Sequence, residues 1–220
     1  AVSCLEADYV IIANPDIHVT PRCIRRVKDA LDKTQGAVAA SARVKDPMGG
    51  ELFSYWTLLP LWKDLLDTGL VTRRLFKAML NTPSYRLAYA GDEDCRLVDA
   101  VPGSFFMLKT GILTPGEIKE VFDKHIFLYY EEKVLGQKFR KMGLKTVLVT
   151  DESYVHAHSV SIDKSFKRIV DKQSLLHRSK LYYYKEYLGT GPAGMAAARA
   201  VLGLVLAEVW FLTVVCRMRW

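Results

Sequence analysis

Apolar residues change their spacing several times along the chain, and each change predicts an element. Tyr9-Val-Ile-Ile-Ala13 is an unbroken apolar, β-branched run. That is the pattern of a strand buried on both faces of a mostly parallel sheet. It stops at Asn14-Pro15-Asp16, a turn that leaves a carboxylate at the strand's carboxyl end. Thr20 before Pro21 is an N-cap followed by a first-turn proline, and the helix they open runs to about Thr34 and stops near Gly36. Ala37 to Val44 supplies the next strand, so the order strand, helix, strand predicts a right-handed crossover.

Residues 53–90 break this rhythm. Phe53, Tyr55, Trp56, Leu58, Leu59, Leu61 and Trp62 crowd one stretch, and Leu65 to Leu80 has helical spacing among Lys63, Arg73, Arg74 and Lys77. This reads as an insertion that packs loosely or meets something apolar. Strand character returns over Ala100–Leu108, broken by Pro102-Gly103. Thr114-Pro115-Gly116-Glu117 has the capping-box spacing and predicts a short helix to Phe122. Glu131-Glu132 opens a helix through Lys141-Met142 that Gly143 ends, and Lys145 to Val149 is a last short strand.

From Ser165 the chain is helical. Phe166, Ile169, Val170, Leu176, Tyr183 and Tyr187 share one broad face, and lysines and arginines fill the rest. Beyond Gly189-Thr-Gly-Pro192 an Ala-rich segment leads into Ala200–Cys216, whose one charge is Glu208. The expected class is therefore α/β: a partial Rossmann-like mixed sheet with helices over residues 1–162, carrying the 53–90 insertion. A C-terminal helical appendage over 163–220 follows, a basic amphipathic helix and then an apolar one.

Composition narrows the partners. Half of the 220 residues are hydrophobic and 25% are charged, which excludes a disordered or low-complexity chain. The net charge of +7 favours anionic partners: nucleotide phosphates, acidic head groups or nucleic acid. No nucleic-acid motif accompanies it and the apolar C-terminal run fits such a partner poorly, so none is expected. The four cysteines lie far apart without a CxxC, which argues against a disulfide framework or a zinc site and for a reducing compartment.

Three places carry residues suited to chemistry. Asp16, at the end of a buried strand, sits where open α/β sheets bind ligands. A hard divalent cation bridging it to a diphosphate would offset the charge of a nucleotide-sugar leaving group. Asn-Pro-Asp is also ordinary turn chemistry. Glu131-Glu132 suits a helix N-terminus through the dipole alone. One of the pair is also placed to act as general base on an attacking hydroxyl, with Phe127–Tyr130 as a desolvating wall. His156 and His158 alternate onto one side of a strand or extended loop, where imidazole ligates a metal or holds a phosphate.

Taken in order, Tyr9–Asp16, Val101-Pro-Gly-Ser-Phe-Phe-Met-Leu108, Phe122-Asp-Lys-His-Ile-Phe-Leu-Tyr-Tyr-Glu-Glu132 and Tyr154-Val-His-Ala-His-Ser-Val-Ser161 resemble the family 2 inverting glycosyltransferases of the GT-A fold, in their bacterial rhamnosyltransferase-like branch. The resemblance implies a metal-dependent, inverting transfer of a sugar, L-rhamnose first, from a nucleotide-sugar (dTDP-rhamnose or a UDP-sugar) to a lipid-linked or polysaccharide acceptor. It implies Mg²⁺ or Mn²⁺ held by Asp16 and His156, with His158 the second choice, and Asn14 beside the nucleotide. Glu132 stands at the position of the catalytic base, where the family usually has Asp, and Glu131 orients the acceptor or shares the proton. Gly103, Ser104, Tyr130 and Trp56 are assigned to the acceptor side. The family's opening strand and its nucleobase-binding segment are not found, so the chain reads as a C-terminal portion of such an enzyme. The alternative is a catalytically inactive fragment or a membrane-associated binding or assembly module.

Ala200–Cys216 is short for a bilayer span, and Glu208 sits near its middle. A helix packed on the insertion, on a second subunit as a homodimer, or in the bilayer surface is the stronger expectation. The preceding basic, Tyr-rich helix suits anionic lipid. Peripheral or C-terminally anchored placement on the cytoplasmic face of a bacterial membrane follows, with a role in surface polysaccharide synthesis.

Overall fold

The computed structural model describes residues 7–76, 80, 94–126, 128–157 and 169–217. They form two compact units. The first gathers residues 1–58, 83–125 and 131–158, and the second 59–82, 126–130 and 159–220.

The first unit is built on a mixed sheet of β1 (Tyr9–Ala13), β2 (Ile17–His18), β3 (Ala37–Lys45), β4 (Cys95–Val98), β5 (Phe105–Lys109) and β6 (Lys145–His156). The strand order is β1-β5-β3-β6-β2, with β4 also on β6. Only β3 and β6 run parallel; the other pairings are antiparallel. β4 takes the first half of β6's far edge (Val98↔Thr146 to Cys95↔Val149) and β2 the last part (His18↔Val155, Ile17↔His156).

α1 (Pro21–Lys33) starts where its sequence dictates: Cys23 N–H donates to Thr20 Oγ1 at 3.1 Å. It lays Cys23, Val27, Ala30 and Leu31 on one face of the sheet against Ala40, Phe105 and Val147. The capping box of Thr114 and Glu117 opens α2 (Pro115–Glu120) as expected. α3 (Glu131–Lys141) ends at Gly143, whose φ of +71° suits a residue without Cβ. Leu135 and Phe139 of this helix pack with Val38, Phe106 and Leu108 on the opposite face. Successive residues of β5 thus serve different cores, as strand alternation requires, whereas the register shift at Ala37/Ala39 puts both Val38 and Ala39 in the second core.

The class expected from the sequence is the class observed: a mixed sheet with helices, of the partial GT-A, Rossmann-like kind, and C-terminal helices. Local readings need correction. β1 is not buried on both faces; Ile11 is 43% exposed, and the strand pairs antiparallel to β5 at the end of the sheet order. β1 and β3 share a direction, but β5 lies between them, so the crossover is not between neighbours. β6 extends past Val149 to His156 because a register shift opposite Ala42/Arg43 lets pairing resume at Ser153.

In the second unit, α4 (Leu61–Leu66) and α5 (Leu70–Leu75) break at Asp67–Gly69, where one helix was expected. α6 (Ile169–Glu186) and α7 (Pro192–Trp210) follow, and α7 continues as a π-helical turn over Phe211–Val215. The apolar helix is therefore one run of 24 residues, Pro192–Val215, the one helix among the described residues long and apolar enough to cross a membrane. Glu208 within it is not stranded: its carboxylate accepts from the Leu70 and Val71 amides at 3.3 and 3.2 Å. Buried Asp64 accepts from Tyr130 Oη at 2.5 Å, Tyr184 Oη at 2.6 Å and Lys180 Nζ at 2.9 Å, and joins α4, the Tyr130 segment and α6.

Candidate functional site

The carboxyl ends of β1 and β6 bring the dispersed motifs of the first unit together. β1 ends at Ala13, paired with Phe105, and the next residue, Asn14, donates its N–H to Ser104 O at 2.8 Å. The turn then reaches Asp16, whose carbonyl accepts from Ala157 N–H at 3.1 Å, while Ile17 pairs with His156. These backbone bonds set His156 Nε2 3.4 Å from Asp16 Oδ1. His156 is buried, Asp16 half-buried and Asn14 exposed. Among the described residues no group of three or more His, Cys, Asp and Glu side chains gathers. His158 lies outside the described residues.

The two glutamates enter from the other side of the chain. α3 approaches the backbone before β5 so closely that a Cβ on Gly136 would collide with Asp99 O. Glycine at that position fixes how deep the helix seats, and with it Glu131 and Glu132 at its N-terminus. A Cβ on Gly103 would stand 3.9 Å from Glu131 Cγ, Glu132 Cγ and Glu132 Oε1, so the Gly103-Ser104 turn lies directly against both. Both carboxyl groups are half-buried, and Glu131 Oε2 is sealed from solvent without a hydrogen-bond partner.

Burial makes ionisation costly here. Burial first, then the negative charge of Glu131, pushes Glu132 up to about 7, although its own helix-terminal N–H, Lys133 and the Gly103 N–H oppose the rise. Burial raises Glu131 as well. Two neighbouring carboxyls that share limited hydration titrate as a pair, and one of them changes charge near neutrality.

The remaining expected residues lie as follows. Ser104 is buried, with its hydroxyl 2.7 Å from Tyr154 Oη. Trp56 forms an isolated bridge with Ala100, Trp56 N–H to Ala100 O at 2.9 Å and Ala100 N–H to Trp56 O at 3.2 Å. It is thereby tied to the strand segment that leads to Gly103. Tyr130 spends its hydroxyl on Asp64 and is buried in the second unit. Phe127, part of the expected apolar wall, lies outside the described residues.

The sequence placed Tyr154 in the Tyr154–Ser161 segment but assigned it no role. Its signal is alternation: Tyr154 and His156 lie two apart on β6, so a functional His156 places Tyr154 on the same side of the strand.

A mixed α/β sheet with an acid–imidazole pair at its carboxyl edge, joined through the Gly103-Ser104 turn to a half-buried carboxyl pair, is the class of site that the fold presents. No protein-family model matches the chain. Two curated relatives are similar to it, from Mycobacterium tuberculosis strains CDC 1551 / Oshkosh and ATCC 25618 / H37Rv. Each is an N-acetylglucosaminyl-diphospho-decaprenol L-rhamnosyltransferase, 28% identical over 160 residues, which make up 71% of this chain and 50% of the relative. The chain spans about half the length of the curated relatives it matches.

Proposed function

We propose that the chain carries the acceptor-side and catalytic half of an inverting glycosyltransferase, with L-rhamnose the first candidate sugar and a lipid-linked acceptor its substrate. The observation that carries this reading is Glu132, a carboxyl group raised to about 7 beside the Gly103-Ser104 turn. A general base works best with a pKa near the operating pH. The 28% identity to enzymes named for L-rhamnosyl transfer onto a decaprenol-linked N-acetylglucosamine supports the same reading and supplies the sugar and the kind of acceptor.

In this mechanism Glu132 takes the proton of the acceptor hydroxyl as its oxygen attacks the anomeric carbon, and the bond to the nucleoside diphosphate breaks on the opposite face. One in-line displacement inverts the configuration. Glu131, half-buried and raised, holds the shared proton or orients the acceptor. Gly103 and Trp56 border the acceptor side, and Asn14 adjoins the nucleotide.

Asp16 and His156 offer one oxygen and one nitrogen 3.4 Å apart, a donor set that suits Mn²⁺, or Mg²⁺ through the carboxylate, when phosphate oxygens complete the shell. A divalent cation held there would neutralise charge on the leaving diphosphate.

The 24-residue run Pro192–Val215, about 36 Å long at 1.5 Å per residue, supports attachment to a membrane, where a prenyl-linked acceptor resides. We place the enzyme at the cytoplasmic face of the bacterial membrane.

The test is transfer from a panel of nucleotide-sugars to a prenyl-diphosphate-linked amino sugar by the protein expressed in full. Loss of transfer in Glu132→Gln and Asp16→Asn, with acceptor binding retained, is the expected result. Full transfer by both variants overturns the reading and favours a binding module.

A further inference from the structure

Ser104 is a junction. Its carbonyl accepts from Asn14 N–H at 2.8 Å, which ties it to the turn that carries Asp16. Its amide neighbour Gly103 lies against Glu132. Its own hydroxyl, on a buried side chain, meets Tyr154 Oη at 2.7 Å. Tyr154 is in turn immobilised. It is 1% exposed, its ring packs edge-on to Phe105 at 5.0 Å and 60°, and its strand position is fixed opposite Val44. Ser41, on the neighbouring β3, donates to Phe105 O at 2.6 Å and so holds the backbone beside Ser104. A buried hydroxyl pair, Tyr154 and Ser104, thus ties the sheet core to the turn between the two halves of the site.

We propose that Tyr154 is a positioning residue: through Ser104 its hydroxyl locks the Gly103-Ser104 turn, so that one turn fixes the Asp16 side and the Glu132 side together. This rests on the assignment of Glu132 as base. The phenol itself stays neutral, because burial pushes its ionisation well above the ordinary tyrosine range. It is a fixed hydrogen-bonding post and exchanges no proton with substrate. A buried hydroxyl pair at 2.7 Å has one favoured geometry, and the turn inherits it.

The experiment uses Tyr154→Phe and Ser104→Ala in the protein expressed in full, assayed for sugar transfer over pH 5–9. Tyr154→Phe keeps the ring contact with Phe105 and removes only the hydroxyl. A loosened turn withdraws the Gly103 N–H from the Glu132 carboxylate, so the acid limb of kcat moves to higher pH by roughly half a unit. The same loosening lowers kcat about tenfold, with the acceptor KM little changed. Ser104→Ala is expected to reproduce the shift and the double variant to add nothing further, since both break one link. If Tyr154→Phe does not fold, Ser104→Ala, which deletes a single oxygen, reads the same quantity.

An unmoved acid limb, additive effects of the two substitutions, or a rise confined to acceptor KM in Ser104→Ala overturns the proposal. Glu132→Gln separates this failure from failure of the base assignment. Abolished transfer in Glu132→Gln with an unmoved limb in Tyr154→Phe removes only the role of Tyr154, whereas undiminished transfer in Glu132→Gln removes both.

Discussion

Lys180 Nζ lies 2.9 Å from Asp64 Oδ2, with both side chains sealed inside the helical unit. The pair is not alone: Tyr130 and Tyr184 donate to the same carboxylate, Thr68 accepts from the ammonium, and Lys180 stands 5.1 Å over the Tyr130 ring. Every donor in the knot thus finds an acceptor, which is the condition for a buried charge pair to be tolerated.

Removing one partner is therefore expected to cost more than removing both. Asp64→Ala strands a buried ammonium and two phenols and is expected to destabilise the protein by about 3–5 kcal/mol. Asp64→Leu combined with Lys180→Met is expected to recover a large part of that loss. Denaturant unfolding followed by circular dichroism measures both. A loss in the double variant equal to the sum of the Asp64→Leu and Lys180→Met losses would show that the charges are not coupled.

Glu132, the base in the proposed mechanism, carries a pH-dependent contribution to stability. Its folded pKa of about 7 lies above the usual 4.5, so the folded state holds a proton that the unfolded chain has released. The stabilising contribution of the protonated form is full below about pH 4.5 and fades as pH rises through 7. Glu132→Gln, which keeps a neutral group there, is expected to raise stability on the order of 2 kcal/mol at pH 8 and to change little at pH 4. The same variant is expected to lose at least about 100-fold in transfer rate. Melting curves at the two pH values, beside the transfer assay, decide the matter.

His177 gives the helical unit the reverse response. Burial first, then the Lys180 charge, lowers its pKa to about 4, and the Gln173 amide donates to its Nε2 at 2.9 Å, as a neutral ring allows. The unfolded chain takes up a proton near pH 6.5 that the fold refuses. This contribution to stability is complete above pH 6.5 and is lost as pH falls towards 4. NMR titration of the His177 ring should show a midpoint near 4, well below the ordinary 6.5. A midpoint near 6.5 would mean that the ring is hydrated.

Asp16 and His156 should act together on the cation. Asp16→Asn is expected to raise the Mn²⁺ concentration for half-maximal transfer at least about tenfold, and His156→Ala to raise it less, since the carboxylate carries the charge. Calorimetric titration of Mn²⁺ with a nucleoside diphosphate checks this apart from turnover. Affinities unchanged in both variants would remove the site.

Much of this architecture was legible in short patterns. Thr20-Pro21, Thr114–Glu117 and Gly143 set helix ends by local hydrogen bonding, which acts within a few residues and so leaves a trace in sequence. The Asn14–Asp16 turn and Glu131-Glu132 could be read because charges at the ends of apolar runs stand out. What escaped was long-range. β4 is short, and Arg96 interrupts its apolar character, so it has no periodicity of its own and exists by pairing with β6. Glu208 looked costly in an apolar helix, yet its partners are backbone amides of Leu70 and Val71, which no side-chain pattern announces. The same holds for Asp64, a lone acid between Trp62 and Leu65 whose three donors come from distant segments.

The offset in β6 has a consequence for how the gene tolerates length changes. Val149 faces Ala42 and Ser153 faces Arg43, so the surplus of the strand is stored in Thr150 to Glu152. An insertion or deletion inside that reserve disturbs the Thr150 N–H to Asp94 O bond and the Arg26–Asp151 and Arg22–Glu152 pairs, but Tyr154 and His156 keep their sides by pairing with Val44 and Ile17. The same change one step later inverts parity, turning the phenol and the imidazole to the wrong sides at a stroke.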